Sequence, residues 1–229
     1  HTLWTVADVC RETGLDRVVG IPRTARRLEG PQRRSAAPSA GRTACPAFAE
    51  ALGRVVISLG SEPGATGGMM IGVASPTHAA GTSSVAIHLA ALLAEGGQGT
   101  ILVDANWSKP PRAVEDSGRS GRALASRTFA LPLGSGDLKV LKLRAAGPIS
   151  GVSASLSVAA TLREMQRDAT SIVVDFLALE QAADLEACVG LLQKLVVVAE
   201  ARVTTSGQLL SLVQRLPPDV FAAVVLNKI

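Results

Sequence analysis

From Met69 to the end of the chain, short apolar runs rich in β-branched residues alternate with longer segments of helical character. The runs are "MMIGVAS", "TILVDA", "LKVLKL", "SIVVDF", "KLVVVAE" and "FAAVVLNKI". Repeated β-α units of this kind favour a parallel sheet with helices on both faces. We therefore expect a doubly wound, mainly parallel α/β fold, with ligands bound at the carboxyl ends of the strands.

The helices are predicted from apolar residues at helical spacing. The clearest runs from residue 82 to residue 95 and is closed by Gly96 and Gly97. Others are expected in "TVADVCRETG", "PAFAEALGRVVISL", "AATLREMQRDA", "QAADLEACVGLL" and "SGQLLSLVQRL", and "RVVGIP" is expected to be a short strand. The polar segment from Asn106 to Thr128 is too rich in Gly and Ser for a helix to be assigned.

Composition agrees with this fold class. Apolar residues make up 47% of the 229 residues and aromatic residues only 3%, so Ala, Val, Leu and Ile must build the core. The three cysteines, Cys10, Cys45 and Cys188, are too far apart to indicate a disulfide framework or a zinc site. The chain shows neither a signal peptide nor an apolar stretch of the ~20 residues that a membrane span needs.

The first 44 residues differ from the rest. They are interpreted as a juxtamembrane-type segment and basic flexible linker, and residues 45–229 as the nucleotide-binding-type domain. Residues 17–42 carry seven arginines and lack the interleaved aromatics of a nucleic-acid reader, so no nucleic-acid partner is expected. Contact with a membrane surface or an acidic partner and a purely solvated linker both remain open.

The segment "SPTHAAGTSS", residues 75–84, lies between the first strand of the domain and its clearest helix, where a phosphate-binding loop would lie. Such a loop needs backbone N–H groups that converge on phosphate, a lysine to neutralise it and a hydroxyl for Mg²⁺. This loop has Gly81, Ser83 and Ser84, but Thr82 stands where the lysine belongs. Taken alone, it is weak evidence for such a loop, and a plain strand-to-helix turn is the favoured interpretation.

Two carboxylates and an amide strengthen the interpretation. Asp104 ends "ILVD" and Asp175 ends "IVVD", where a carboxylate binds Mg²⁺ or one of its waters. Asn227, near the end of the last strand, carries an amide able to read a purine edge. His78, Lys109 and Arg112 are secondary candidates for a phosphate-facing cation, with a solvated surface role as the alternative.

The order of these motifs resembles the cytoplasmic domain of bacterial tyrosine kinases, the polysaccharide co-polymerase or chain-length-determinant proteins of exopolysaccharide and capsule export. These are relatives of the partition and division-site ATPases, which carry a deviant Walker A loop. The family's loop, roughly S-x-x-P-G-E-G-K-S-T, falls on residues 75–84. Its second motif, roughly L-[IV]-D-A-D-x-R-x-P, falls on "LVDANWSKP", and its third, roughly [VI]-[VI]-D-x-P-P, on "VVDFLA".

The resemblance implies a site for nucleotide and Mg²⁺ in which some of the family's residues are replaced. Phosphate and Mg²⁺ would meet Gly81, Thr82, Ser83 and Ser84, metal or water would be held by Ser83, Asp104 and Asp175, and adenine would contact Asn227. Thr82 removes the charge that stabilises the transferring phosphoryl group, and Asn106 replaces an acidic residue. The chain contains no tyrosine, so the family's tyrosine-rich tail is absent from these residues.

We therefore expect a catalytically impaired nucleotide-binding domain in exopolysaccharide or capsule chain-length control. The resemblance implies ATP or ADP with Mg²⁺ as possible ligands, a homo-oligomer, and polysaccharide polymerisation and export machinery as partner at the cytoplasmic face of the bacterial inner membrane. The chain begins with His1 rather than Met, so we expect it to belong to a longer protein. An active ATPase with a relocated cation and a localisation pseudo-ATPase of the partition class are the alternatives.

Overall fold

The chain folds around one eight-stranded sheet. The computed structural model describes residues 1–3, 5–22, 46–60, 69–97, 99–105, 124–133, 136–145, 152–166, 171–176 and 188–228. The strands are β1 (Val18–Ile21), β2 (Met69–Ala74), β3 (Thr100–Asp104), β4 (Leu124–Leu133), β5 (Gly136–Ala145), β6 (Ser171–Asp175), β7 (Lys194–Glu200) and β8 (Phe221–Asn227).

The strand order is β1-β8-β7-β2-β6-β3-β5-β4. In this order, every neighbouring pair from β1 across to β5 is parallel. The last pair, β5 with the edge strand β4, is antiparallel. The predicted doubly wound, mainly parallel sheet is therefore confirmed. β4 was not predicted, because "LASRTFALPL" shows no regular alternation of apolar and polar residues.

Among the described residues, five helices cover the two faces of the sheet. They are α1 (Val6–Thr13), α2 (Pro46–Ser58), α3 (Thr82–Glu95), α4 (Val152–Met165) and α5 (Ser206–Val213). The predicted helix over residues 82–95 is α3, with both ends as predicted. The helix predicted in "QAADLEACVGLL" lies mostly outside the described residues, and Val189–Leu191 at its end form a 3-10 turn.

Alternation along the strands divides the core into two apolar clusters. Ile71 and Val73 of β2 pack with α2 and α3, whereas Met70 and Ala74 belong to the cluster that contains buried residues of α1, α4 and α5. Strands buried on both faces explain why the sequence shows continuous apolar runs rather than alternation.

Residues 1–22 add to the fold. β1 pairs with β8, and Leu3 is fully buried and bonded through its N–H to the Thr204 carbonyl at 3.0 Å. The predicted boundary at residue 44 stays a prediction, since residues 23–45 lie outside the described part. In the described part of the chain, no helix is long and apolar enough to cross a membrane.

Gly72 provides a test of the packing between β2 and the α1 face. A Cβ at this position would lie 2.5 Å from Leu195 Cδ1 and 2.8 Å from Leu192 Cδ1. Gly72→Ala should lower the free energy of unfolding by about 1–3 kcal/mol through overpacking. In the middle of α2, Gly53 has open space around it, so Gly53→Ala should stabilise by roughly 0.5–1 kcal/mol. Urea denaturation measures both, and equal stability of the two variants would contradict this packing.

The capping box of α1 predicts a local response to acid. Hydrogen bonds from Thr5 and the nearby Arg11 guanidinium hold the pKa of Asp8 below its usual value. Because the pKa of Asp8 is lowered in the folded state, its carboxylate stabilises α1 fully above the unfolded-state pKa of about 3.9. This stabilisation is lost as the pH falls through the pKa of Asp8 in the folded state. Below about pH 4, NMR shifts of α1 should therefore move toward those of a frayed helix.

Helix α5 is the internal control for that experiment. It has the same capping box, built from Thr205 and the neutral Gln208. Its first turn should not respond to acid in the same range, and a parallel response of both helices would show that Asp8 is not the cause.

Candidate functional site

The site residues meet at one edge of the sheet because the strands that carry them are parallel. Asp104, Asp175, Glu200 and Asn227 are the last residues of β3, β6, β7 and β8, and the loop of residues 75–81 follows β2. Carboxyl ends of parallel strands are where α/β proteins bind ligands. The structure thus brings every candidate residue that it describes to the expected edge.

The two predicted carboxylates lie side by side. Asp104 and Asp175 are register partners on the adjacent strands β3 and β6, which are about 4.8 Å apart. Strand alternation puts them on the face of Leu102 and Val173, which pack with α3. Asp175 is 8% exposed and Asp104 is half-buried. The pair therefore lies on the same side of the sheet as the loop and the helix that follows it.

The loop has the backbone shape of an anion-binding nest. Ala79 has φ +60° and Gly81 has φ +93°, and Ala80 between them has an ordinary negative φ. Alternation of handedness makes successive N–H groups converge on one concave side. Among the described residues, the N–H groups of Ala79 and Gly81 make no hydrogen bond, whereas the N–H of Ala80 faces the Thr77 carbonyl in the turn over residues 78 and 79.

The first turn of α3 extends this nest. Gly81 is the N-cap residue and has no side chain with which to cap the helix, and Val85 donates the first helical bond to the Gly81 carbonyl at 3.0 Å. The N–H groups of the first turn therefore remain available at the positive end of the helix dipole. Ser83 and Ser84 are exposed there and Thr82 is half-exposed, which leaves their hydroxyls within reach of a ligand.

Close contact with β8 explains why residue 81 is glycine. A Cβ on Gly81 would collide with Asn227 Nδ2, quite apart from the positive φ. Asn227 is 9% exposed, and its Nδ2 donates to the Ala80 carbonyl at 2.8 Å. The amide of Asn227 thus holds the loop. Its predicted contact with adenine stays a prediction, and it leaves one N–H and one lone pair for that purpose.

Lys228 and Glu200 belong to the site and were not predicted. Lys228 Nζ donates to the Ala79 carbonyl at 3.0 Å and pairs with Glu200 Oε1 at 2.7 Å. On the neighbouring turn, the Thr204 hydroxyl is 3.3 Å from that of Thr77 in the loop. Contacts to backbone carbonyls leave no signature in the sequence of the loop. The one available signal was a lysine, Lys228, directly after the candidate Asn227.

The geometry does not test the secondary candidates for a phosphate-facing cation. His78 is exposed, and its role as a phosphate-facing cation stays a prediction. Asn106, Lys109 and Arg112 lie outside the described residues. Within the described ranges, no group of three or more His, Cys, Asp or Glu side chains is placed to hold a metal ion. A metal here would depend on Asp104, Asp175, a loop hydroxyl and ligand or water oxygens, which is typical of Mg²⁺.

Comparison with known proteins shows the fold. No family model and no curated protein matches the chain. The kinase domain of Escherichia coli tyrosine kinase ETK is similar in structure, with a TM-score of 0.73 at 16% identity over 98% of this chain and 94% of that one. The BceF tyrosine kinase domain has a TM-score of 0.68 at 15% identity, covering 100% and 99%. The chimerical protein CapA2B2 has a TM-score of 0.66 at 16% identity, covering 98% and 99%.

These values show that the chain has the fold of bacterial tyrosine kinase domains over nearly its whole length. The predicted resemblance is therefore confirmed at the level of the fold. At 15–16% identity the similarity says nothing about activity, which depends on the residues of the loop and the strand ends.

The contact between Gly81 and Asn227 predicts a specific cost of substitution. Gly81→Ala combines a left-handed φ with the collision, whereas Gly97→Ala, at φ +82°, has the same type of backbone in open space. The left-handed strain alone costs about 1–2 kcal/mol. We expect Gly81→Ala to destabilise by a further ~1–3 kcal/mol through overpacking. Chemical denaturation gives the difference, and equal losses would show that Asn227 moves aside freely.

Proposed function

We propose that this chain is a catalytically impaired nucleotide-binding domain of the bacterial tyrosine-kinase type. One observation carries the proposal: the loop after β2 keeps the backbone nest for phosphate while Thr82 replaces the lysine that phosphoryl transfer needs. Binding and chemistry place different demands on this loop. N–H groups suffice to hold an anion, whereas the transfer step requires fixed positive charge.

The described residues fit a nucleoside diphosphate or triphosphate with Mg²⁺. The N–H groups of Ala79, Gly81 and the first turn of α3 would hold phosphate oxygens. Ser83, Asp104 and Asp175 offer the hard oxygen ligands that Mg²⁺ prefers, directly or through water. Thr82 has a hydroxyl next to the same N–H groups and adds a neutral donor to phosphate.

Loss of transfer follows from the same residues. A neutral Thr82 cannot offset the charge that develops on the transferring phosphoryl group, a term worth several orders of magnitude in rate. The chain also has no tyrosine, so it cannot phosphorylate itself on tyrosine within these 229 residues.

The cellular role that we propose is chain-length control and export of exopolysaccharide or capsule, as an oligomerising scaffold at the cytoplasmic face of the bacterial inner membrane. The order of the motifs along the chain and the fold shared with tyrosine kinase domains support it. The seven arginines between residues 17 and 42 are suited to an anionic membrane surface. The proposed partners are further copies of the chain and the polysaccharide polymerisation machinery.

An active ATPase of the partition and division-site class is the second candidate. Retention of Asp104 and Asp175 in register favours it, because these carboxylates would hold the metal during hydrolysis. A pseudo-ATPase that serves as a localisation scaffold would share the binding site without turnover. The full-length chain separates the roles, since two transmembrane helices ahead of His1 support the polysaccharide role and a receiver-like domain there supports localisation.

Calorimetric titration with ATP and Mg²⁺, followed by a phosphate-release assay, tests the proposal. We expect measurable binding that weakens about tenfold in Asp104→Asn or Asp175→Asn, and no hydrolysis above background. Turnover that depends on Asp104 would replace the proposal with the active ATPase. Absence of any binding of ATP or ADP would refute nucleotide binding altogether.

A lysine restored to the loop should separate binding from chemistry. In Thr82→Lys we expect ATP affinity to rise about tenfold, the effect of one charge-assisted hydrogen bond. Gln214→Lys adds the same charge at the exposed C-terminal end of α5 and should leave affinity unchanged. Equal gains in the two variants would show that net charge, rather than the loop position, controls binding.

A further inference from the structure

The two residues at the end of β8 both bind the loop through its backbone. Asn227 Nδ2 donates to the carbonyl of Ala80 at 2.8 Å, and Lys228 Nζ donates to the carbonyl of Ala79 at 3.0 Å. Two successive peptide groups of the loop thus have their oxygens directed toward the same strand end. This contact is made by side chains from the other end of the sequence, 147 and 149 residues away.

The position of the carbonyls determines where the N–H groups point. In a trans peptide the C=O of one residue and the N–H of the next are antiparallel, and the described residues contain no cis peptide bond. Because the Ala79 and Ala80 oxygens face β8, the N–H groups of Ala80 and Gly81 face away from it. Of these two, the N–H of Ala80 closes the turn with the Thr77 carbonyl, and the N–H of Gly81 makes no hydrogen bond among the described residues.

Lys228 is itself held in place from two directions. Its ammonium pairs with Glu200 at 2.7 Å, and its backbone N–H donates to Asn227 Oδ1 at 2.9 Å. Its backbone adopts φ +64°, an uncommon conformation for a lysine. The exposed fractions of the Lys228 and Glu200 side chains are 36% and 16%, so water screens this pair less than a fully exposed one.

We propose that Asn227 and Lys228, with Glu200 supporting Lys228, act as positioning residues that preorganise the loop for phosphate. This strand-end clamp holds the carbonyls of residues 79 and 80. Through Ala80 it directs the N–H of Gly81 toward the ligand, and through Ala79 it fixes the turn that precedes it. The proposal rests on the proposed function for its ligand, and it assigns the positive charge of Lys228 to the loop backbone rather than to phosphate. The loop thereby keeps its shape without a lysine of its own.

The first test measures the loop without any nucleotide. Lys228→Met keeps the length of the side chain and removes the ammonium. We expect the amide of Val85, which is bonded to the Gly81 carbonyl, to exchange with solvent about tenfold faster, as expected for the loss of one charge-assisted hydrogen bond. Glu200→Gln, which removes only the partner charge, should give a smaller increase of about threefold.

Lys194 supplies the matched control. Its Nζ also donates to a backbone carbonyl, that of Asp219, at 3.0 Å, but it lies at the opposite, amino end of β7. Lys194→Met should leave exchange at Val85 unchanged. Lys228→Arg keeps a cationic donor and should restore most of the protection. The free energy of global unfolding, measured in urea, should fall in Lys228→Met by about 1.4 kcal/mol, the equivalent of that tenfold change, and should stay near the parent value in Lys228→Arg and Lys194→Met.

The second test uses Mg-ADP and inorganic pyrophosphate as probes. We expect Lys228→Met to weaken binding of both by about tenfold, with Lys228→Arg near the parent and Lys194→Met equal to it. Unchanged exchange at Val85 in Lys228→Met, or failure of Lys228→Arg to rescue it, overturns the clamp. If the parent chain binds neither probe, the proposed function fails, whereas the exchange result still decides whether the clamp orders the loop.

Discussion

Backbone hydrogen bonding between parallel strands, which are buried on both faces, fixes how far along the strand direction each site residue lies. Val73, Asp175 and Asp104 are aligned across β2, β6 and β3, and Glu200 is aligned with Asn227 across β7 and β8. A shift of one residue in any of these registers would turn a carboxylate from the α3 face to the opposite face. The apolar residues on both sides of the strands make such a shift costly, so the core fixes the geometry of the site.

Much of this arrangement is predictable because it depends on strand ends. A carboxylate that directly follows an apolar run, as Asp104 and Asp175 do, has only one place to lie once the sheet is known to be parallel. Helix α3 was predictable for a similar reason, since Gly81 precedes it and Gly96 and Gly97 follow it. Local patterns and the global fold agree at these positions.

Other features had no local pattern to reveal them. β4 is an antiparallel edge strand with Pro132 near its end, and an edge strand tolerates proline and an irregular sequence because one side needs no partner. The contacts of Lys228 and Asn227 with the loop join residues 147 and 149 positions apart. They bind carbonyl groups, which every residue has, so no residue type in the loop indicates them.

The strand-end clamp also bears on how such a loop changes over evolutionary time. A contact made to main-chain oxygen does not depend on which side chain the loop residue carries, so the clamp itself does not select the residue type at positions 79 and 80. Gly81, in close contact with Asn227, is constrained by its own identity as well. A sequence pattern written for the loop alone will therefore fail to match proteins in which the loop has changed. A pattern that pairs a glycine at the start of the helix with Asn-Lys at the end of the last strand would still match them.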